Sequence, residues 1–164
     1  MAIDIIAIGL GDIKCSNNRG SVLVCYGLGS CVGISMYDPR THIGGMAHVV
    51  LPDSSILPGS DIPGKFADTA VPALLNGMLE LGAHKTSIVV KIAGGAKMFT
   101  SSPGLSSVLD VGSKNVEAVK KALKASRLRI AGEDCGGSCG RTFHLFLAEG
   151  RVSVRTLGRS EIDL

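Results

Sequence analysis

Aromatic residues are scarce: the 164-residue chain holds four Phe, two Tyr and no Trp. With so few rings to stack bases, a nucleic-acid partner is not expected. Charge of one sign is also lacking, since 17 Lys and Arg stand against 14 Asp and Glu. The one basic concentration, Lys114, Lys120, Lys121, Lys124, Arg127 and Arg129, reads as the solvent face of a helix rather than a footprint for phosphates. No apolar run approaches the ~20 residues of a membrane span. The longest, 2–10 and 88–96, are interrupted by Asp4 and Lys91, so membrane insertion is not expected. A basic segment followed by an apolar one is missing at the N-terminus, which predicts no signal peptide and a cytoplasmic location. The five cysteines form neither an even nor a dense set, so reduced thiols are expected rather than a disulfide scaffold.

What is present favours folding. Hydrophobic residues make up 45%, mean hydropathy is +0.33, and the length suits one compact domain over 1–164. Short β-branched runs at 3–8, 21–26, 32–37, 43–51, 86–93, 128–133, 142–148 and 151–156 predict strands. Asp38-Pro39-Arg40-Thr41 and Glu149-Gly150 predict tight turns and hence antiparallel hairpins. Helical spacing occurs twice. Val71, Leu74, Leu75, Met78 and Leu79 mark a helix with Asp68 or Thr69 as N-cap, Pro72 near its first turn and Gly82 as its stop. Val116, Val119 and Leu123 mark a second helix at about 115–125. The fold class is therefore α+β, a largely antiparallel or mixed β-sheet core with two main flanking helices. The long loop at 53–65 is expected to border a functional site.

Several motifs mislead. Gly59-Ser60-Asp61-Ile62-Pro63-Gly64-Lys65 resembles a phosphate loop, but Phe66 stands where Mg²⁺ needs a hydroxyl, and Pro63 removes a backbone donor. The glycines at 27, 29 and 33 precede a strand-like run instead of the helix that would receive a pyrophosphate. Cys135, Cys139 and His144 supply three metal-ligating side chains without a fourth and without a common finger spacing. They read as a glycine-rich turn with two neighbouring thiols, and neither a metal nor a cofactor is expected.

Cys31 follows Gly27-Leu28-Gly29-Ser30 and opens an apolar strand, a rigid setting in which small residues let a substrate approach. A thiol needs a base, and His48 lies in the strand that a hairpin around 38–41 would lay alongside. A turn centred at 39 and 40 pairs Cys31 with about residue 48, a cross-strand Cys–His dyad. An inert buried thiol and a core histidine satisfied by backbone remain the alternatives.

The strings Gly27–Gly33 and Gly45–Asp53 resemble the signature of the CheD family of chemoreceptor glutamine deamidases. Further matches follow at 63–70, 91–99 and 111–116, in Gly136-Gly137 and in Gly140-Arg141, so the likeness spans nearly the whole chain. The resemblance implies a cysteine hydrolase that converts glutamines of methyl-accepting chemotaxis receptors to glutamate. It implies Cys31 as nucleophile and His48 as general base and acid, without a cofactor. It also implies a fold similar to the deamidase domain of cytotoxic necrotising factor toxins, with a CheC-type phosphatase as a partner. Gly29 and the Ser30 and Cys31 amides are the expected substrate and oxyanion contacts. One position departs from the family, which places Thr six residues before the nucleophile to orient the histidine; here it is Cys25. Either Cys25 orients His48 weakly, or a backbone carbonyl or Ser35 does so, or activity is diminished. In the last case the chain is an adaptor that binds receptors or the phosphatase. A site that acts on an exposed helix is expected to be shallow.

Overall fold

The computed structural model describes residues 2–98 and 110–164. Among them, ten strands form two five-stranded sheets. The first sheet runs β1 (Asp4–Ala7), β3 (Ser21–Leu28), β8 (Arg141–Phe146), β9 (Arg151–Thr156) and β10 (Ile162–Asp163). The second runs β2 (Ile13–Ser16), β5 (Ile43–Val49), β4 (Val32–Asp38), β6 (Val89–Gly94) and β7 (Ile130–Cys135). Each sheet is mixed, with one parallel pair: β1 with β3, and β6 with β7. Helices α1 (Ala67–Glu80) and α2 (Val111–Ala125) cover the second sheet. The α+β, mixed-sheet expectation holds.

The second sheet is the middle layer, and the side-chain alternation of β4 and β5 shows why. Val32, Ile34, Met36, Ala47 and Val49 pack against Val71, Leu74 and Met78 of α1 and Val119 and Leu123 of α2. Tyr37 and Met46 instead join Leu23, Phe143 and Leu145 of the first sheet. Every residue of both strands is buried. Glycines let the sheets close: a Cβ on Gly33 would lie 2.6 Å from Phe143, and one on Gly44 would lie 2.2 Å from Leu147. His48 alternates with Ala47 and Val49, so its ring is on the side of the first sheet.

Element boundaries differ from the sequence reading where side chains serve distant partners. Helix α1 begins at Ala67 after Phe66, which offers no side-chain cap. Asp68 accepts instead from the N–H (2.9 Å) and hydroxyl (2.6 Å) of Ser54, and Thr69 donates to the carbonyl of Pro63. Pro72 consequently falls in the second helical turn, not the first. Helix α2 begins a turn earlier than expected, capped by Asp110, whose side chain accepts from Ser113 N at 3.1 Å. Strand β2 falls outside the expected strands: Ile13-Lys14-Cys15-Ser16 alternates apolar and polar, with Ile13 and Cys15 on the core, but four residues are too short a run to stand out, and pairing with β5 organises it. The basic residues of α2 and the segment after it are exposed, as expected.

The β4–β5 hairpin forms with a shifted register. Asp38 pairs with Ile43, and His42, at φ 58°, donates its N–H to Asp38 O at 2.8 Å. The turn is therefore centred between Arg40 and Thr41. His48 faces Gly33 instead of Cys31, two positions from the expected pairing. A shift of two keeps every side chain on its face, so position 31 remains on the His48 side as a diagonal neighbour.

Candidate active site

The segment 29–31 carries the chain from β3 in one sheet to β4 in the other. Its three carbonyls are all held. Gly29 O accepts from Ala96 N at 2.8 Å, Ser30 O from Asn115 Nδ2 at 2.9 Å, and Cys31 O from Gly95 N at 2.8 Å. Such close packing requires glycine. A Cβ on Gly94, at φ 115°, would lie 2.2 Å from Cys31 O, and one on Gly112 would lie 2.3 Å from Ala96 O. In contrast, the Ser30 and Cys31 N–H groups find no backbone acceptor among the described residues, and the Cys31 N–H lies toward its own Sγ. The segment presents donors to its surroundings with its acceptors tied down behind it.

Cys31 is half-buried and packs against the cluster between the sheets that contains Ile8, Cys25 and Phe143. The site is thus neither closed nor deep at the thiol. Burial raises the thiol pKa, and the residue's own backbone N–H, which lies toward Sγ, only partly offsets it.

His48 is buried, and the turn between β1 and β2 surrounds it. Its N–H donates to Asp12 O at 3.1 Å, and its carbonyl accepts from Gly11 N at 2.9 Å. Its ring Nδ1 lies 2.9 Å from Ile8 O. A carbonyl only accepts, so Nδ1 carries the proton and Nε2 holds the lone pair. Nε2 is buried with no hydrogen-bond partner among the described residues. A cavity of about 360 Å³ lined by Ile8, Leu10, Tyr26, Gly27 and His48 opens beside it. Cys31 lies outside that lining, and no hydrogen bond joins it to His48, a looseness usual for such pairs without substrate. A larger cavity of about 540 Å³, near Arg141, Arg155 and Arg159, contains neither thiol nor imidazole.

Cys25 is fully buried, and its thiol reaches Ala47 O only at 4.0 Å, not the His48 ring. Burial pushes this thiol far above the ordinary range, and the neighbouring Cys31 adds to the effect. Ser35 donates to Lys91 O at 3.2 Å and is likewise not a ring partner. Of the orienting groups considered for His48, the backbone carbonyl is the one in place.

The loop 53–65 supports the site from behind. Lys65 O accepts from Val50 and Leu51 N–H, both at 2.9 Å, and Gly64 packs so tightly on the β1–β2 turn that a Cβ would meet Gly11 O at 2.2 Å. Asp53 caps a short helical turn through Ser55 N at 2.8 Å and lines a separate cleft between the helices. The glycines at 94 and 95 anchor the Cys31 segment. His144 stacks on Phe146, and all five cysteines are free thiols. Phe99, which ends one of the matched strings, lies outside the described residues.

Sequence reasoning allowed for a backbone carbonyl without identifying Ile8, and it missed Asn115. A carbonyl leaves no trace in residue type. Asn115 did leave one, a polar residue four and eight positions before Val119 and Leu123, on the apolar stripe of α2.

A family model described as CheD chemotactic sensory transduction matches residues 50–156. The chain belongs to the CheD family. CheD relatives extend the match over the part that carries Cys31 and His48. One from Symbiobacterium thermophilum, named a probable chemoreceptor glutamine deamidase, is 48% identical over 96% of both chains. Proteins of the same name from Clostridium botulinum (strain Alaska E43 / Type E3) and Methanococcus maripaludis are 40% and 45% identical, covering at least 93% of each chain. No helix among the described residues of this CheD chain is long and apolar enough to cross a membrane.

Proposed function

We propose that this chain is a protein-glutamine deamidase that converts glutamines of methyl-accepting chemotaxis receptors to glutamate through a thioester on Cys31. The observation that carries this reading is the arrangement of His48: Nδ1 is committed to Ile8 O, and Nε2 is buried, without a hydrogen-bond partner among the described residues, on the face shared with Cys31. The names of the relatives supply the substrate.

Because burial raises the Cys31 pKa, the nucleophile is a thiol at neutral pH and its proton leaves as the bond forms. His48 Nε2 takes that proton while Sγ attacks the carboxamide carbon. The Ser30 and Cys31 N–H groups receive the developing oxyanion. Collapse breaks the C–N bond, His48 returns the proton to the departing ammonia, and the thioester remains. Water, deprotonated by His48, then attacks the thioester and releases glutamate and the thiol. The balance is glutamine plus water giving glutamate plus ammonia.

Cys25 has no step in this scheme. On the same reading the whole chain acts as one domain in the cytoplasm, its fold is akin to the toxin deamidases, and a CheC-type phosphatase occupies the deamidase surface when bound.

The test is mass spectrometry of a chemoreceptor cytoplasmic fragment incubated with the wild-type protein, Cys31→Ala or His48→Ala. Gln-to-Glu conversion is expected with wild type, none with Cys31→Ala, and a rate at least ~100-fold lower with His48→Ala. Receptor binding by wild type without conversion would overturn the reading in favour of an adaptor.

A further inference from the structure

One side-chain amide bridges the strands that carry the proposed nucleophile and base. Asn115 is fully buried in the second turn of α2, and its Nδ2 donates to Ser30 O and to Val50 O, each at 2.9 Å. The β4–β5 ladder ends at Val32 and Val49, so Asn115 takes the place of the next rung, between positions 31 and 50. Its orientation is unambiguous, because a flipped amide would set its oxygen against two carbonyls.

From this geometry we infer that Asn115 is a positioning residue that aims the Cys31 N–H at the oxyanion of the acyl-transfer step. Ser30 C=O and Cys31 N–H belong to one planar trans peptide and point in opposite directions. Anchoring the oxygen on α2 therefore turns the N–H away from the helix, toward the side where Sγ lies. The hydrogen bond to the carbonyl also polarises the peptide and strengthens its N–H as a donor. Ala96 N and Gly95 N hold the flanking carbonyls, and among the described residues only Asn115 holds the carbonyl of the peptide that contains the Cys31 N–H.

Stabilisation is only part of what Asn115 does. Its Nδ2 satisfies two backbone carbonyls, yet its Oδ1 is buried without a hydrogen-bond partner among the described residues, a defect that its donor role does not offset at that atom. A residue kept despite such a defect fits a role in the site.

The inference rests on Cys31 as nucleophile, and its test does not need the natural substrate. p-Nitrophenyl acetate acylates a thiol through a tetrahedral oxyanion, expelling p-nitrophenolate. Iodoacetamide alkylates the same sulfur by displacing iodide, with no oxyanion. Both rates are read at Cys31 by peptide mass spectrometry in wild type, Asn115→Ala and Asn115→Ser.

Asn115→Ala is expected to slow acylation by at least ~10-fold with alkylation within ~3-fold of wild type. Asn115→Ser, whose hydroxyl can still donate to one carbonyl, recovers part of the loss. If both rates fall by the same factor, or neither falls, the inference is overturned. If Asn115→Ala does not fold, Asn115→Ser carries the same comparison. A wild-type protein acylated at Cys31 that converts no receptor glutamine would defeat the proposed function and leave this comparison standing.

Discussion

His48 is oriented by a main-chain oxygen, and this makes the identity of residue 25 a secondary matter. Restoring the hydroxyl tests the point directly. Cys25→Thr is expected to change the deamidation rate by less than ~3-fold, since Nδ1–H still donates to Ile8 O and the new hydroxyl has Ala47 O as its acceptor. A gain of tenfold or more would show that the thiol impairs the site. The pH dependence should carry over unchanged. Because burial raises the Cys31 pKa, the thiolate fraction of the free protein grows as pH rises, so iodoacetamide labelling of Cys31 should still be increasing above the pH at which ordinary thiols level off. The shared face of Cys31 and His48 was legible from hairpin logic, although the register that logic gave was off by two. The orienting carbonyl was not legible, because every residue has one and only the path of the chain selects Ile8.

Among the elements, strand β6 contributes its C-terminal end rather than a side chain. Gly94 lies so close to the carbonyl of Cys31 that there is no room for a Cβ, and Gly95 donates its N–H to the same carbonyl. Gly94→Ala combines a φ of 115° with a clash against Cys31 O, and should cost roughly 2–4 kcal/mol of stability with a greater than tenfold loss of deamidation at temperatures where the variant is folded. Gly158→Ala is the control. Its φ of 78° is also left-handed but no atom of the described residues lies within 4 Å of a Cβ there, so it should lose about 1 kcal/mol and no activity. Thermal melts and ammonia release measure both. Periodicity located α1 and α2 correctly, whereas their first turns escaped it. Those turns are held by Phe66 backbone, Asp110 and the close approach of Gly112, none of which follows an apolar rhythm.

For the whole molecule, the decisive feature is that the second sheet is covered on both faces, so its hairpin tip must be tied to its surroundings. Asp38 does this at the end of β4. Burial alone would raise its pKa, but bonds from His84 N (2.8 Å), Arg40 N (2.9 Å) and Ser87 Oγ (2.8 Å) hold it well below the usual carboxylate range. The native pKa is the lower one, so the stabilisation is complete above the unfolded value, near ~4, and is lost as pH falls toward the native value. Melting temperatures of wild type and Asp38→Asn should therefore differ most at neutral pH and converge in acid. A constant gap would remove Asp38 from the account of acid sensitivity.

Composition and local pattern by themselves determined that the chain is α+β, where most strands and both helices fall, and that Cys31 and His48 share a face. All of these follow from side-chain periods of two and near four, which act over a few residues. The tertiary structure decided the register of the hairpin, the carbonyl that holds the imidazole, and the amide that ties position 30 to position 50. Those depend on where α2 and the β1–β2 turn dock, and docking rests on apolar packing and on glycine-to-backbone contacts between segments far apart in the chain.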